Sequence, residues 1–549
     1  MENKNAKKRP LSLIASDYFD YLGKHLPQQC ASDEFYFLPR SEVAVQNLER
    51  LDDLTPERIR DHIRHVRNLL GEISLEQGDD LEEYIDHLLL KQSMESFIRE
   101  FDDAEVWQND PTLYVKIPLF ATDHVISQRH TTPDKVKQNL LTLFTQIPSF
   151  LRLASKILRS PSEISLRVAV SMAQDALHFY SHGVRAFIEE KIGKNRELIK
   201  KIKEVSEAWE RYKRDLIQFP PGEPFAIGED GLTKILTLSL SCPKSPGEIL
   251  EIARYAYQKT QEKLHALAKK IDSHKTWDLI IHEQSPSIST RKEFMHLYEK
   301  EVHSLRRFCY SQDIMTFPAG EKIIVLKTPS YLQSLRATAS YRPPLTGDTK
   351  GHGIFYITPG KEDLEMISSH CPYLSAHETY PGHHILDHLR IHHPNPIRRQ
   401  IESPLFYEGW ACYSEQLLDE LGYVQDPRQK LVQLQRQLWR CLRAILDVEL
   451  QRGKMTLAEA AKEVQILGFS TKRAQRQIRR FCLTPGYHLC YFMGTYEILR
   501  LREKFFFRLG PKAFYDTLLG GGEIPFHLVE KRLTNIFLDR TNCIAAIKN

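Results

Sequence analysis

The stretch His377-Glu378-Thr379-Tyr380-Pro381-Gly382-His383-His384 sets a His-Glu pair, a backbone breaker and a His pair side by side. Zinc hydrolases need two imidazoles to hold the metal and a carboxylate beside one of them to take a proton from the water the metal activates. His377 and His383 are the candidate imidazoles and Glu378 the candidate base. A third ligand, often Glu, normally comes from a separate helix; Glu408, in Ser403-Pro-Leu-Phe-Tyr-Glu-Gly-Trp-Ala411, is the candidate. The usual signature H-E-x-x-H puts its histidines at i and i+4 on one helical face. Here they stand six apart, about 600° of helical rotation, so a straight helix would point them apart. Pro381 cannot donate to the helix ladder and disfavours helical backbone at Tyr380, and Gly382 relaxes the chain further. The spacing therefore predicts a helix that bulges at Tyr380-Pro381-Gly382, looping out two residues and returning His383 to the i+4 place.

Neighbouring residues compete for roles. His384 could replace His383 as ligand, support a ligand from behind, or pack in the core, and the last two are favoured. His384, His388 and His392 form an i, i+4, i+8 row without an acid, which reads as a stacked or solvated face. Asp387, one turn after His383, is placed to orient a ligand ring through its second nitrogen. Glu402 and Glu415 are rivals of Glu408; Glu415 lies two turns along on nearly the same face and could bind or support. Trp410 and Tyr413 read as core.

Working outward, 549 residues allow several domains or one large helical body. A hydrophobic content of 42% is enough for a sizeable core. The net charge of +4, from 75 basic and 71 acidic residues, gives no electrostatic argument for nucleic acid. Nine cysteines without a CxxC pair read as reduced thiols, not as a disulfide or structural-zinc framework. Leu11-Ser-Leu-Ile-Ala15 is too short for a signal segment, and no apolar run reaches the roughly 18–20 residues of a membrane span. A cytoplasmic protein with no nucleic-acid or membrane partner is expected.

Helix signals recur. Thr55-Pro56-Glu57 offers a cap and a first-position proline, and Ser160–Glu163, Thr290–Glu293 and Thr456–Glu459 read as capping boxes. Apolar positions from Ser162 to Gln218 recur at helical spacing, predicting one or two long amphipathic helices that Pro220-Pro221-Gly222 ends. Helices resume at Pro246 and Thr290. Strand signals are confined to 322–327 and 353–358, and the second is expected to be an edge strand beside the metal, where a substrate could add itself.

HETYPGHH, YEGWACYSEQL and PGYHLCYFMG resemble the signature blocks of a bacterial family known as domain of unknown function 885. That family resembles in fold the all-helical zinc carboxypeptidases of the thermostable type and, more distantly, the thimet and neurolysin oligopeptidases. The resemblance implies a Glu shortly before a Trp as third ligand, which selects Glu408 before Trp410. It also implies a late tyrosine that donates to the oxyanion, matching Tyr491. Two positions depart from the family: Tyr487 stands where Gln is usual, and Gln451 where His is usual. Arg443, Arg479 and Arg480 are candidates for holding a substrate carboxylate.

Together these readings predict a mainly α fold: a large helical two-lobed body with a central cleft and a small β-ribbon near the site. A flexible stretch would cover 1–12, and a single domain 13–549. Within that domain the N-terminal lobe takes about 13–220, middle helices about 225–340, the catalytic lobe about 340–510 and C-terminal helices 511–549. One zinc ion and hydrolysis of short peptides, with carboxypeptidase-like trimming, are expected. The rival readings are a metal-dependent amidase on a non-peptide substrate and a non-catalytic helical binding protein that keeps the motif as packing.

Overall fold

Helix ends fall where side chains can satisfy the free backbone groups. In the computed structural model, which describes residues 9–73, 80–127, 131–283, 288, 290–329, 339–345, 351–358 and 368–548, Ser245, Thr290 and Thr456 each form a full capping box. The helix Glu163–His178 is capped by Ser162, which accepts from Ser165 N at 3.2 Å, and not by Ser160. The periodic run that follows is broken more finely than its pattern suggests. A π-turn at Phe179–Val184 leads into Arg185–Lys191, and a second long helix runs Arg196–Gln218 before the prolines end it. The first described helix, Leu11–His25, begins inside the segment expected to be flexible, of which residues 1–8 lie outside the described residues.

The fold is mainly α, with one three-stranded sheet. Strands β1 (Ile323–Lys327) and β3 (Gly353–Ile357) are the two that the sequence predicts; β2 (Ala339–Arg342) carries too short and mixed a pattern to be legible. The order is β1-β3-β2, with β1 parallel and β2 antiparallel to β3. Residues 353–358 are therefore not an edge: β3 is central and buried along its whole length, and β1 and β2 are the outer strands.

Alternation along β3 shows where the site lies. Ile354 and Tyr356 join a core built from the N-terminal helices and the C-terminal segments, whereas Phe355 and Ile357 join a second core spanning 264–309 and 371–481. The helix Cys371–Glu378 packs Tyr373 and Ala376 into the second core. The helix Pro404–Glu420 packs Phe406, Trp410 and Tyr413 into the first. The candidate ligands thus lie where two hydrophobic clusters adjoin.

Gly409 and Gly494 set the crossing of Pro404–Glu420 on Cys490–Leu509. A Cβ on Gly409 would meet Gly494 Cα at 2.5 Å, and one on Gly494 would meet Leu405 O at 2.0 Å, so the two backbones touch. This contact brings the tyrosines at the start of the later helix beside Glu408.

Candidate metal centre

The expected bulge is a full break. One helix ends at Glu378 and the next, His383–Ile391, starts five residues on, with a cis Tyr380–Pro381 bond between them. Inside the break, Thr379 N donates to Ser375 O at 2.8 Å and Gly382 N to Ala376 O at 3.0 Å. A Cβ on Gly382 would meet His377 O at 2.0 Å, so only glycine lets the chain turn this closely. Trp410 Nε1 donates to Pro381 O at 2.8 Å. Trp410 therefore does more than fill core volume: it ties the turn to the Glu408 helix.

The break makes the two imidazoles converge. The His377 and His383 rings lie 4.7 Å apart at 83°, and each Nε2 is 3.6 Å from Glu408 Oε2. Donor atoms about 2.0–2.1 Å from a tetrahedral zinc sit about 3.3 Å from one another, so the spacing fits such an ion. Glu408 Oε2 is buried and has no hydrogen-bond partner, which an anionic oxygen rarely tolerates in a protein interior. Burial pushes the Glu408 carboxyl up, but the two imidazoles outweigh it and hold it well below the usual range. The residues present fit a single divalent cation.

What stands behind the ligands differs from expectation. Asp387 does not reach the His383 ring, whose Nδ1 has no hydrogen-bond partner. Its carboxylate instead accepts from Tyr407 Oη at 2.8 Å and from Arg390, and the Tyr407 ring stacks on His383 at 4.0 Å. Glu415 Oε1 lies 2.9 Å from His377 Nδ1, though too far off line for a hydrogen bond. Arg436 grips Glu415 bidentately at 2.6 and 2.7 Å, and Arg440 adds a further contact. Two guanidiniums make Glu415 a poor cation ligand and a good backing for His377. Cys412 joins His377 and Glu415 in a second cluster of possible donors, which the same two arginines disfavour. Glu402 is committed to Arg40 and Arg390, at 2.8 and 2.7 Å.

Glu378 is buried, and its Oε2 accepts from Tyr341 N, on the outer strand β2, at 2.9 Å. Burial raises its proton affinity; His377 and His383 oppose the shift without cancelling it. Tyr487 Oη donates to Glu408 Oε1 at 2.5 Å, so this departure from the family pattern lies against a candidate ligand. The Tyr491 ring lies parallel to His377 with centroids 6.4 Å apart, and the Arg443 guanidinium sits 3.4 Å above it. Arg443 also donates to His488 Nδ1 at 2.9 Å. Arg479 and Arg480 are exposed on the helix Thr471–Leu483, and no contact brings Arg480 to this site. Gln451, at the other departure, is buried and donates to Phe481 O at 2.7 Å.

His384 faces away from His383. Its Nε2 is 2.9 Å from Glu321 Oε2, which also accepts from Tyr380, while Arg306 and Tyr310 each donate to Oε1 at 2.8 Å. His388 and His392 lie beyond it with ring centroids 4.2 Å apart and tilted by 30°, and burial lowers the His388 imidazole to about 4. Tyr341, Tyr407, Arg436, Arg440 and Glu321 are the residues the sequence left unmarked. Tyr407 adjoins Glu408, and Arg436 and Arg440 are four apart on one helix; Glu321 and Tyr341 carry no local signal.

A cavity of about 550 Å³ opens beside the centre, lined by Phe35, Tyr36, Phe101, Phe225, Leu483 and Pro485 among others. Tyr36 stacks on Tyr487 at 3.9 Å, so two stacked rings, Tyr36 and Tyr487, lie between the cavity and Glu408. Among the described residues no helix is long and apolar enough to cross a membrane.

The chain belongs to the family described as bacterial protein of unknown function (DUF885), whose model matches residues 41–533. No curated protein matches it. It is similar in fold to a candidate lipoprotein of unknown function from Shewanella oneidensis, at 18% identity and a TM-score of 0.76, covering 95% of this chain and 99% of that one. A candidate lipoprotein from Colwellia psychrerythraea matches at 19% identity and a TM-score of 0.81, covering 96% of this chain and 99% of that one. At such identities the likeness speaks for the fold alone.

Proposed function

We propose that this member of the family is a metal-dependent hydrolase that cleaves peptide bonds in short peptides, with trimming from the C-terminus as its narrower form. One observation carries the reading: two imidazole Nε2 atoms converge, at 3.6 Å each, on a buried carboxylate oxygen that has no other partner. His377, His383 and Glu408 would hold the ion. Zinc suits the donor set, and manganese, cobalt or iron are also accepted by such sites. When bound, a divalent ion polarises a carbonyl and lowers the pKa of water toward ~7.

The chain's own residues supply the rest. Glu378, fixed by the Tyr341 N–H, takes the proton of the attacking water and delivers it to the leaving amine. Tyr491 donates to the oxyanion; burial and the neighbouring Glu408 carboxylate push its phenol above the usual range, and the Arg443 cation 3.4 Å over its ring works against that shift. Among the described residues no further strand pairs with the outer side of β2, where Tyr341 N donates to Glu378; this supports an extended peptide as substrate, bound along that side. Arg443, not Arg480, is the arginine near enough to meet a substrate carboxylate. Eight cysteines, from Cys30 to Cys490, are free and buried, which supports the reducing compartment that we propose as its setting.

Digestion of a peptide library by the zinc-loaded chain, beside a panel of acyl-amino-acid amides, tests the reading. Cleavage of peptides that disappears in Glu378→Gln, with metal content unchanged, is the expected result. Turnover of the amides alone would replace the peptidase reading with an amidase, and a wild-type chain that holds no metal would leave only a scaffold.

A further inference from the structure

Glu408 shows different neighbours at its two oxygens. Oε2 faces both imidazoles and has no hydrogen-bond partner, whereas Oε1 accepts from Tyr487 Oη at 2.5 Å. A carboxylate with both oxygens free can grip a cation with both. In a four-coordinate hydrolytic site that second grip would take up the position that water or substrate needs.

We propose that Tyr487 is a positioning residue for the metal: its hydroxyl occupies Oε1 and leaves Oε2 as the one oxygen of Glu408 that the ion receives. The inference deepens the hydrolase reading and rests on it.

The turn that carries Tyr487 is built to hold the phenol still. Asp447, buried in the neighbouring helix, accepts from Gly486 N at 3.2 Å and from Leu489 N at 3.0 Å, bracketing Tyr487. Gly486 adopts a φ of +77°, and a Cβ there would meet Ile235 Cγ2 at 2.7 Å, so the backbone is fixed in a conformation that favours glycine. Tyr36 stacks on one face of the Tyr487 ring at 3.9 Å, and Tyr491 meets it edge-on at 5.8 Å and 80°. With backbone and ring both clamped, the hydroxyl stays on Oε1 at little entropic cost.

Zinc affinity of the full-length protein, by competition with a chromophoric chelator, and the visible spectrum of its cobalt(II) form test this. Tyr487→Phe keeps the ring and its stack and removes only the hydroxyl. Zinc affinity is expected to fall about 10–100-fold, and the cobalt bands to weaken and shift as the coordination number rises. Tyr36→Phe, which alters a neighbouring hydroxyl not bonded to Glu408, is expected to leave both readouts unchanged. The positioning role is overturned if Tyr487→Phe matches wild type in affinity and spectrum while Glu408→Ala loses zinc; the hydrolase reading then survives. It is equally overturned if Tyr36→Phe moves both readouts as far as Tyr487→Phe does. A wild-type chain that takes up neither metal removes both this role and the hydrolase reading.

Discussion

Two buried carboxylates flank the Tyr380-Pro381-Gly382 turn, and they are satisfied in opposite ways. Glu321 is saturated: Arg306 and Tyr310 donate to one oxygen, and His384 and Tyr380 stand on the other. Glu408 is half satisfied, with Tyr487 on one oxygen, while the other has no hydrogen-bond partner and faces two imidazole nitrogens at 3.6 Å each. Consecutive histidines serve the two groups, His383 turned to Glu408 and His384 to Glu321. The lesson concerns how to tell a scaffold from a site. A buried anion whose every lone pair is used holds structure together; one that keeps a lone pair aimed at convergent nitrogens is arranged for something else.

The largest effect is expected for Glu408→Ala, which should reduce bound zinc from one equivalent to the background of the assay and abolish turnover with it. Glu321→Gln should keep full zinc content by elemental analysis; equal metal loss in both variants would erase the distinction. Next, Glu378→Gln should bind zinc as wild type does and lose about 10²–10⁴-fold in peptide turnover. Wild-type rates there would remove Glu378 as the base.

Smaller effects belong to the saturated side. Glu321→Gln should destabilise the metal-free chain by about 1–3 kcal/mol in denaturant titration, because Arg306 loses its anion and a buried bond to His384 or Tyr380 weakens. Stability should also depend on pH through this group. Burial works against the Glu321 carboxylate, but the bonds from His384, Tyr380 and Tyr310 win and bring it from 4.5 down to about 2. Between those values the unfolded chain binds the extra proton, so the stabilisation is complete above 4.5 and is lost as pH falls toward 2. Acid titration of unfolding should show this slope in wild type and a shallower one in Glu321→Gln; parallel slopes would show that the cluster does not carry it.

Much of the candidate centre was legible before any coordinates, because its chemistry is spelled by adjacent residue types. His377, Glu378 and His383 announce themselves by spacing, and Pro381-Gly382 gives the reason that a six-residue interval can work. The family resemblance selects Glu408 through Trp410, and in the fold the two act on the same turn: the indole holds the carbonyl of Pro381 while the carboxylate meets the histidines. Other roles went astray for the same physical reason in each case. Asp387 sits at the right helical offset, yet the Tyr407 ring intervenes between it and His383. Arg480 belongs to a suggestive block but lies on the exposed face of its helix. Residues 353–358 have the pattern of a strand, and nothing in that pattern says which neighbours it will have.

The sequence by itself determined the helical class, through apolar spacing and caps, and the identity of the groups that could bind a cation, because spacing and capping act within a few residues. Which oxygen of Glu408 lacks a hydrogen bond, which way each of two adjacent histidines turns, and which tyrosine bonds to Glu408 follow only from the folded arrangement. Those outcomes depend on partners far apart in sequence, such as Tyr487 with Glu408 and Glu321 with His384, that become neighbours only when the two apolar cores close against each other.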